Sequence, residues 1–241
     1  ALGYQSCLFV PLLRDGKADL GFVQGGSADI AVDDENAIES LGSLFVEPVW
    51  LFYRESVARK ITASATLTAL SQLQGLRLNV GTAGSGVPSL MAKLFDANRV
   101  DPASIKLSQL AQTPATVAFL GDELDAIVFA SAPESLMVQM LLQTPGVKLM
   151  DFAQSEAYSR RFPFLTPAVL SRGVVDLSRD LPPQDVRLVA STTSLLTRDS
   201  THPALLQLFV QAGKQIHGGA GWFRRARDYP NLSGNELPIA A

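Results

Sequence analysis

From residue 76 onward, short apolar runs of strand length alternate with longer stretches in which apolar residues recur every three or four positions. Residues 76–80 read as a strand, and 86–98, with Val87, Leu90, Met91, Leu94 and Phe95 on one face, as a helix. The series continues with a strand at 105–107, a helix at 114–121, a strand at 126–130, a helix at 133–143 and a strand at 147–150. Such alternation with short connections predicts a parallel sheet covered by helices on both faces. It makes a compact unit of about 80–90 residues.

The flanks are less regular. Residues 8–14 read as helix or loop, and 20–23 as a short buried strand that ends at Gln24-Gly25-Gly26. Leu44-Phe45-Val46 and 49–53 are separated by Glu47-Pro48, and a proline demotes a central strand, so this is two strands or one bent strand crossing between regions. Residues 56–75 form a connection containing a helix. Farther on, 168–170, 186–190 and 194–197 are strand material, and Leu181-Pro182-Pro183 breaks any helix. Residues 203–217 form an amphipathic helix with Leu205, Leu206, Phe209, Val210 and Ile216 on one face. It opens at Pro203 and stops before Gly218-Gly219. The tail from Asn231 has turn residues and little periodicity. The flanks need each other to complete a sheet, whereas the middle is self-contained. The expected organisation is a discontinuous lobe one, 1–72 and 164–241, with lobe two, 73–163, inserted, and a binding cleft between them.

Composition narrows the function. The 241 residues are 47% hydrophobic and 18% charged, with a net charge of −3, which marks a globular chain without the basic field that nucleic-acid binding needs. The one cysteine, Cys7, sits in an apolar run and reads as a buried thiol, so there is no disulfide framework. His202 and His217 stand at the two ends of one helix and read as terminus residues, with His217 favoured by the helix dipole. Neither a hydrolytic triad nor a zinc site follows from them. The acidic runs Asp33-Asp34-Glu35 and Asp122-Glu123-Asp125 read as solvated surface and loop. Arg224, Arg225 and Arg227 form a local basic patch, read as a solvated helix face or an anionic-membrane contact. No acid–base pair stands out. The expectation is binding rather than catalysis, with no catalytic residue, metal or cofactor.

The candidate ligand contacts lie at strand ends. Between the strand at 76–80 and its helix lies Gly81-Thr82-Ala83-Gly84-Ser85-Gly86, whose glycines let a ligand approach the backbone. The free N–H groups and dipole of a helix start favour an anion there. Its spacing is neither the dinucleotide fingerprint nor the P-loop. Gln24-Gly25 and Ser131-Ala132 occupy equivalent strand ends, where open α/β sheets place ligands. Trp50 is either core or a wall of the pocket.

Residues 12–19 (Leu12-Leu13-Arg14-Asp15-Gly16-Lys17-Ala18-Asp19) through 22–26, together with 41–50, 73–77 into 81–86, 125–129, 161–165, 181–186 and 202–205, run in collinear order. In these stretches the chain resembles the TAXI family of solute-binding proteins, the extracytoplasmic subunits of tripartite ATP-independent periplasmic (TRAP) transporters. The resemblance implies a type II periplasmic-binding-protein fold, with two α/β lobes and a cleft. It implies ligand contacts at Gln24, Gly25, Thr82, Ser85, Gly86, Val87, Ser131 and Ala132, with Trp50 at the end of the crossing strand. The implied ligand is a small, anionic, carboxylate or amino-acid-like molecule. The implied partner is a TRAP membrane permease, reached from a periplasmic or extracytoplasmic location.

The chain departs from the family at two places. The usual opening strand and its glycine-rich loop are missing, so the resemblance places an N-terminal part of lobe one outside these residues. At Gln5-Ser6-Cys7-Leu8-Phe9, Ser6 is kept and Phe9 stands where the family has asparagine, which implies a more apolar pocket. The ending from Asp228-Tyr229-Pro230 to Leu237-Pro238 is similar to a membrane-anchored subgroup. Two alternatives share the fold class: the effector domain of a LysR-type regulator, and an enzyme on the same scaffold, such as one of thiamine-precursor synthesis, which would need a histidine or reactive cysteine in the cleft.

Overall fold

One long strand runs through both halves of the molecule, and a second pairs with it in the outer one. In this computed structural model, which describes residues 9–26, 37–133, 135–232 and 237–240, β2 (Ile38–Arg54) has 17 residues and β8 (Val186–Arg198) has 13. Ser6, Cys7, the run 33–35 and the side chain of Phe9 lie outside the described residues. The two strands pair antiparallel from Ile38↔Arg198 to Pro48↔Ala190. Past Pro48, β2 takes β5 (Ala126–Ala130) as a neighbour, from Val49↔Ala130 to Tyr53↔Ala126. Proline has no N–H to give to a ladder, and Pro48 stands at the change of partner. The stretch expected as two strands or a bent one is a single strand that serves both halves.

Beyond Pro48, β3 (Arg77–Asn79) pairs parallel with β4 (Lys106–Ser108) and with β5. β6 (Val147–Leu149) pairs antiparallel with β2 at Phe52, Tyr53 and Arg54. Phe52 and Tyr53 pair with β5 as well, so β2 lies between β5 and β6 and runs against them. The regular alternation predicts a wholly parallel sheet; the difference is β2, which enters from the other half and supplies an antiparallel strand. In that other half, β1 (Leu20–Gln24) and β7 (Leu165–Leu170) both pair antiparallel with β8. The second edge of β2 is met by the tail: Ser40 N–H donates to Pro238 O at 2.7 Å and Ser43 N–H to Asn231 O at 2.8 Å.

The helices are α1 (Phe9–Arg14), α2 (Glu55–Ile61), α3 (Val87–Ala97), α4 (Gln112–Leu120), α5 (Leu136–Gln143), α6 (Ser155–Arg161) and α7 (Pro203–His217). As expected, α3 buries Val87, Leu90, Met91, Leu94 and Phe95. They join a large core with Leu51, Phe52, Leu78, Ile127 and Leu188. A smaller cluster of Val10, Leu13, Val23, Ile38, Leu196 and Leu237 fills the far end of the outer half. α7 differs from expectation. Only Gly213 of it is buried, packed close to Leu44, while Leu208 and Ile216 are 62% and 70% exposed. Its apolar face therefore contributes little to the core described here.

Two bidentate ion pairs fasten strand ends. Arg77 donates to Asp125 at 3.1 and 2.7 Å, and Arg187 donates to Asp151 at 3.0 and 2.5 Å. Burial alone would raise both carboxyls, but the arginine hydrogen bonds outweigh it and hold them below the ordinary carboxylate range. A depressed folded value contributes stability above the unfolded value and loses it as pH falls through the folded one. Urea midpoints are therefore expected to stay level from about pH 8 to about pH 6 and to fall below about pH 4. In the Asp125→Asn/Asp151→Asn variant the acid-side fall is expected to be shallower; an unchanged slope would contradict the assignment.

Candidate functional site

The parallel strands β3, β4 and β5 end at one edge of the sheet, and each is followed by a helix that begins there. After β3 comes the turn 81–86 and α3, after β4 the start of α4 at Gln112, and after β5 the segment 131–133 and α5. Three sets of opening N–H groups, with their dipoles, are thus directed to the same side. Facing them from the outer half are Phe22 and Gln24 of β1, Phe45, Val46 and Glu47 of β2, and His217 and Arg224. These residues enclose a cleft of about 860 Å³, within the range of about 300–1,000 Å³ usual for small-molecule sites.

The start of α3 carries the geometry expected of an anion-friendly turn. Gly86 is its N-cap at φ +74°, a left-handed conformation that favours glycine, and no side chain caps the helix from that position. Ser85 turns inward instead: its N–H and its hydroxyl both donate to Thr82 O, at 3.0 and 2.8 Å. After β5, the Ser131 hydroxyl donates to Ser135 Oγ at 3.2 Å, and Ser135 caps α5 by accepting from Val138 N–H. The helix expected from 133 therefore begins at Leu136.

Of the residues expected at the ligand, Gln24, Thr82, Ser85, Val87, Ser131 and Ala132 line this cleft together. Gly25, Gly86 and Trp50 are not among its lining residues. Gly25 N–H donates to Thr192 O at 2.8 Å, and a Cβ added there would lie 3.0 Å from the Phe164 side chain, so close packing sets its size. Trp50 is fully buried; its indole N–H donates to Ser131 O at 3.0 Å, and its ring stacks on Phe52 and meets Phe223 edge-on. It props the wall that Ser131 presents.

The cleft also holds charged groups that the sequence reading did not place at the ligand. Glu47 lies on the same side of β2 as Phe45, and its carboxylate accepts from the Thr193 hydroxyl at 2.8 Å. Burial pushes this carboxyl up, against the lowering effect of the Thr193 bond. Its sequence signal was a lone acid inside an apolar strand. Arg224 is not on a helix face: it sits in a short turn whose strand-like bridge joins it to Gly221, and its Nε donates to Gly219 O at 2.9 Å. Arg225 and Arg227 are exposed. His217 stacks on Phe45 at 4.8 Å; burial, then the charge of Arg224, lowers its pKa, so the expected favour from the helix dipole does not prevail. His202 accepts from Ala204 N–H and caps α7. Asn79, also unanticipated, fastens the approach to α4: its amide donates to Leu110 O, and its carbonyl accepts from Leu110 N–H and the Ser108 hydroxyl.

One contact spans the two halves beside the cleft. Lys93 of α3 donates to Gly26 O at 3.0 Å, with its ammonium 5.2 Å above the Phe164 ring.

A family model described as NMT1-like matches residues 6–212. The chain belongs to the NMT1-like family. No curated protein matches this NMT1-like sequence. Among solved structures, the Synechocystis PCC6803 CcmR regulatory domain in complex with 2-PG is similar over 90% of this chain and 81% of its own, with TM-score 0.53 and 11% identity. The effector binding domain of a BenM variant is similar over 87% and 76%, with TM-score 0.52 and 12% identity. The amino acid ABC transporter substrate-binding protein AbpA from Streptococcus pneumoniae, bound to L-arginine, is similar over 89% and 68%, with TM-score 0.48 and 11% identity. The fold of this NMT1-like chain is accordingly the mixed α/β, type II periplasmic-binding-like one, an open sheet with helices.

The chain has two tryptophans, so Trp222→Phe leaves Trp50 as the sole reporter of the wall. Its emission is expected to be blue-shifted and insensitive to iodide; a red-shifted, readily quenched signal would place Trp50 at the cleft surface instead.

Proposed function

We propose that this protein is a solute-binding protein of the TAXI type, capturing a small carboxylate or amino-acid-like ligand and presenting it to the membrane permease of a TRAP-type transporter. The observation that carries the reading is the convergence of three helix starts on one cleft between two sheet halves. Such an edge supplies directed N–H groups and positive dipole ends, which suit a carboxylate and ask for no chemical step. In this reading, residues 73–163 move as lobe two against lobe one, 1–72 and 164–241. Because β2 runs through both halves, a hinge near Pro48 would let the ligand shift the population from open to closed. The collinear resemblance of 12–26, 41–50 and 81–86 to TAXI proteins supports the transport role. With it go an extracytoplasmic location, a membrane anchor in the full-length protein, and a role without catalysis or nucleic acid.

A second reading keeps the cleft and changes the output. The likeness to the CcmR and BenM domains motivates a ligand-sensing effector domain of the LysR type, in which lobe closure would be read by a DNA-binding partner. An enzyme on this scaffold would need a histidine or reactive cysteine in the cleft; His202 here caps α7 and His217 stacks on Phe45.

Calorimetry and thermal unfolding against a panel of small carboxylates and amino acids test the shared core of these readings. One or a few compounds are expected to bind one to one and to stabilise the fold, by about 2.7 kcal/mol at a hundredfold excess over Kd. Absence of both heat and thermal shift across the panel would contradict it.

A further inference from the structure

A second cavity, of about 370 Å³, shares no lining residue with the cleft. It opens between the inner half, at the end of α5 and along β6, and the arm 171–185 that joins β7 to β8. Its floor is apolar. Phe52 and Leu141 are fully buried, Val186 is nearly so, and Leu149 lies directly across from Phe52 in the β2–β6 register, on the same side of the sheet. The arm is held over this floor by bonds of its own. Arg172 donates to both oxygens of Asp180, each at 2.7 Å, and its N–H donates to Asp185 at 2.8 Å. Asp176 accepts from the Ser178 N–H, the Ser178 hydroxyl and the Arg179 N–H. Arg179 then reaches the inner half, donating to Gln143 at 2.9 Å. The wall is therefore preorganised.

The charges around this cavity do not cancel. Of its four charged lining residues, Glu55 is paired with Arg59 at 2.6 Å and Asp151 with Arg187 at 2.5 Å, so both carboxylates are already compensated. Lys148 and Arg179 are exposed, and neither forms an ion pair with a described residue. In a chain of net charge −3, two uncompensated cations thus stand at the rim of an apolar hollow. An anion with an apolar body satisfies both parts: the body leaves water, and the charge meets the cations where they are still partly hydrated.

We propose that this cavity is a second ligand site, which takes an amphipathic anion: a carboxylate on a short aliphatic or aromatic body, with the body on Phe52 and Leu141 and the charge on Lys148 and Arg179. It stands apart from whatever the cleft binds. An occupant would touch both halves, since Leu141 and Lys148 belong to the inner one and Arg179 and Val186 to the outer.

Methyl NMR on the chain, with leucine and valine labelled, reads the two sites separately. The probes are hexanoate and benzoate, with hexanamide and benzamide as their neutral counterparts and acetate as the charge without the body. At least one of the two carboxylates is expected to shift the methyls of Leu141, Leu142, Leu149, Leu181 and Val186, all at this cavity. Titrated on those methyls, it is expected to bind about tenfold or more tightly than its amide and than acetate. The Lys148→Gln/Arg179→Gln variant is expected to weaken the carboxylate about tenfold and to leave the amide within about twofold. Lys148→Gln alone, which leaves the bonds of the arm in place, is expected to lose part of the preference. The proposal is overturned if neither carboxylate moves these methyls, or if only the cleft methyls of Val46, Val87 and Val128 respond. It is overturned equally if the amide binds as tightly as the acid, or if the variants lose acid and amide together, as a merely structural role of the two cations would require.

Discussion

The architecture depends on one strand being shared. β2 is hydrogen-bonded to β8 through the outer half and to β5 and β6 in the inner half, with Pro48 at the crossing. Trp50, Leu51, Phe52 and Tyr53, just past that proline, are essentially inaccessible to solvent and anchor the large core. Neither half is complete without this strand, so any relative motion has to be absorbed near the crossing. The same strand carries Phe45 and Glu47 into the cleft immediately before it passes into the inner half. Fold and site are therefore fixed by one element. A displacement of its register by one residue would turn those side chains to the opposite face.

Parallel pairing has an electrostatic consequence at the other wall. Because β3, β4 and β5 share a direction, their following helices all begin on the cleft side. That wall presents N–H groups and positive dipole ends without a single lysine or arginine among its described lining residues. Across from it, burial raises the Glu47 carboxyl and lowers His217, and Arg224 keeps its cation at the rim of the same space. The cleft thus has one wall of backbone donors and one of polar and charged side chains.

Much of this was legible in the chain, for identifiable reasons. Period and punctuation placed the inner-half elements to within a few residues, because Val87, Leu90, Met91, Leu94 and Phe95 bury the face that their spacing predicts. The strand-end turns containing Thr82, Ser85 and Ser131 were visible from their small residues and do face one space. Pairing direction was not legible, since an antiparallel strand arriving from sequence-distant residues 38–54 leaves no mark on the βα alternation. Trp50 was ambiguous because burial and ligand contact both favour an aromatic at a strand's end; its indole bond to Ser131 O decides the placement. Arg224 showed in the sequence only as part of a basic run, with nothing local to place it in the cleft. Its position in the cleft follows from a turn after α7, and only the fold brings that turn beside β2. The apolar spacing of α7 predicted a buried face that the described residues do not cover, which shows that periodicity reports a helix more securely than it reports its partner.

The most direct measurement is a crystal structure with the tightest-binding small molecule in place. The account predicts density within the cleft, with a carboxylate at the N–H groups of residues 82–87 and the β2–β8 register unchanged. A molecule bound outside this cleft, or one whose carboxylate rests on Glu47 with nothing at the helix starts, would contradict it.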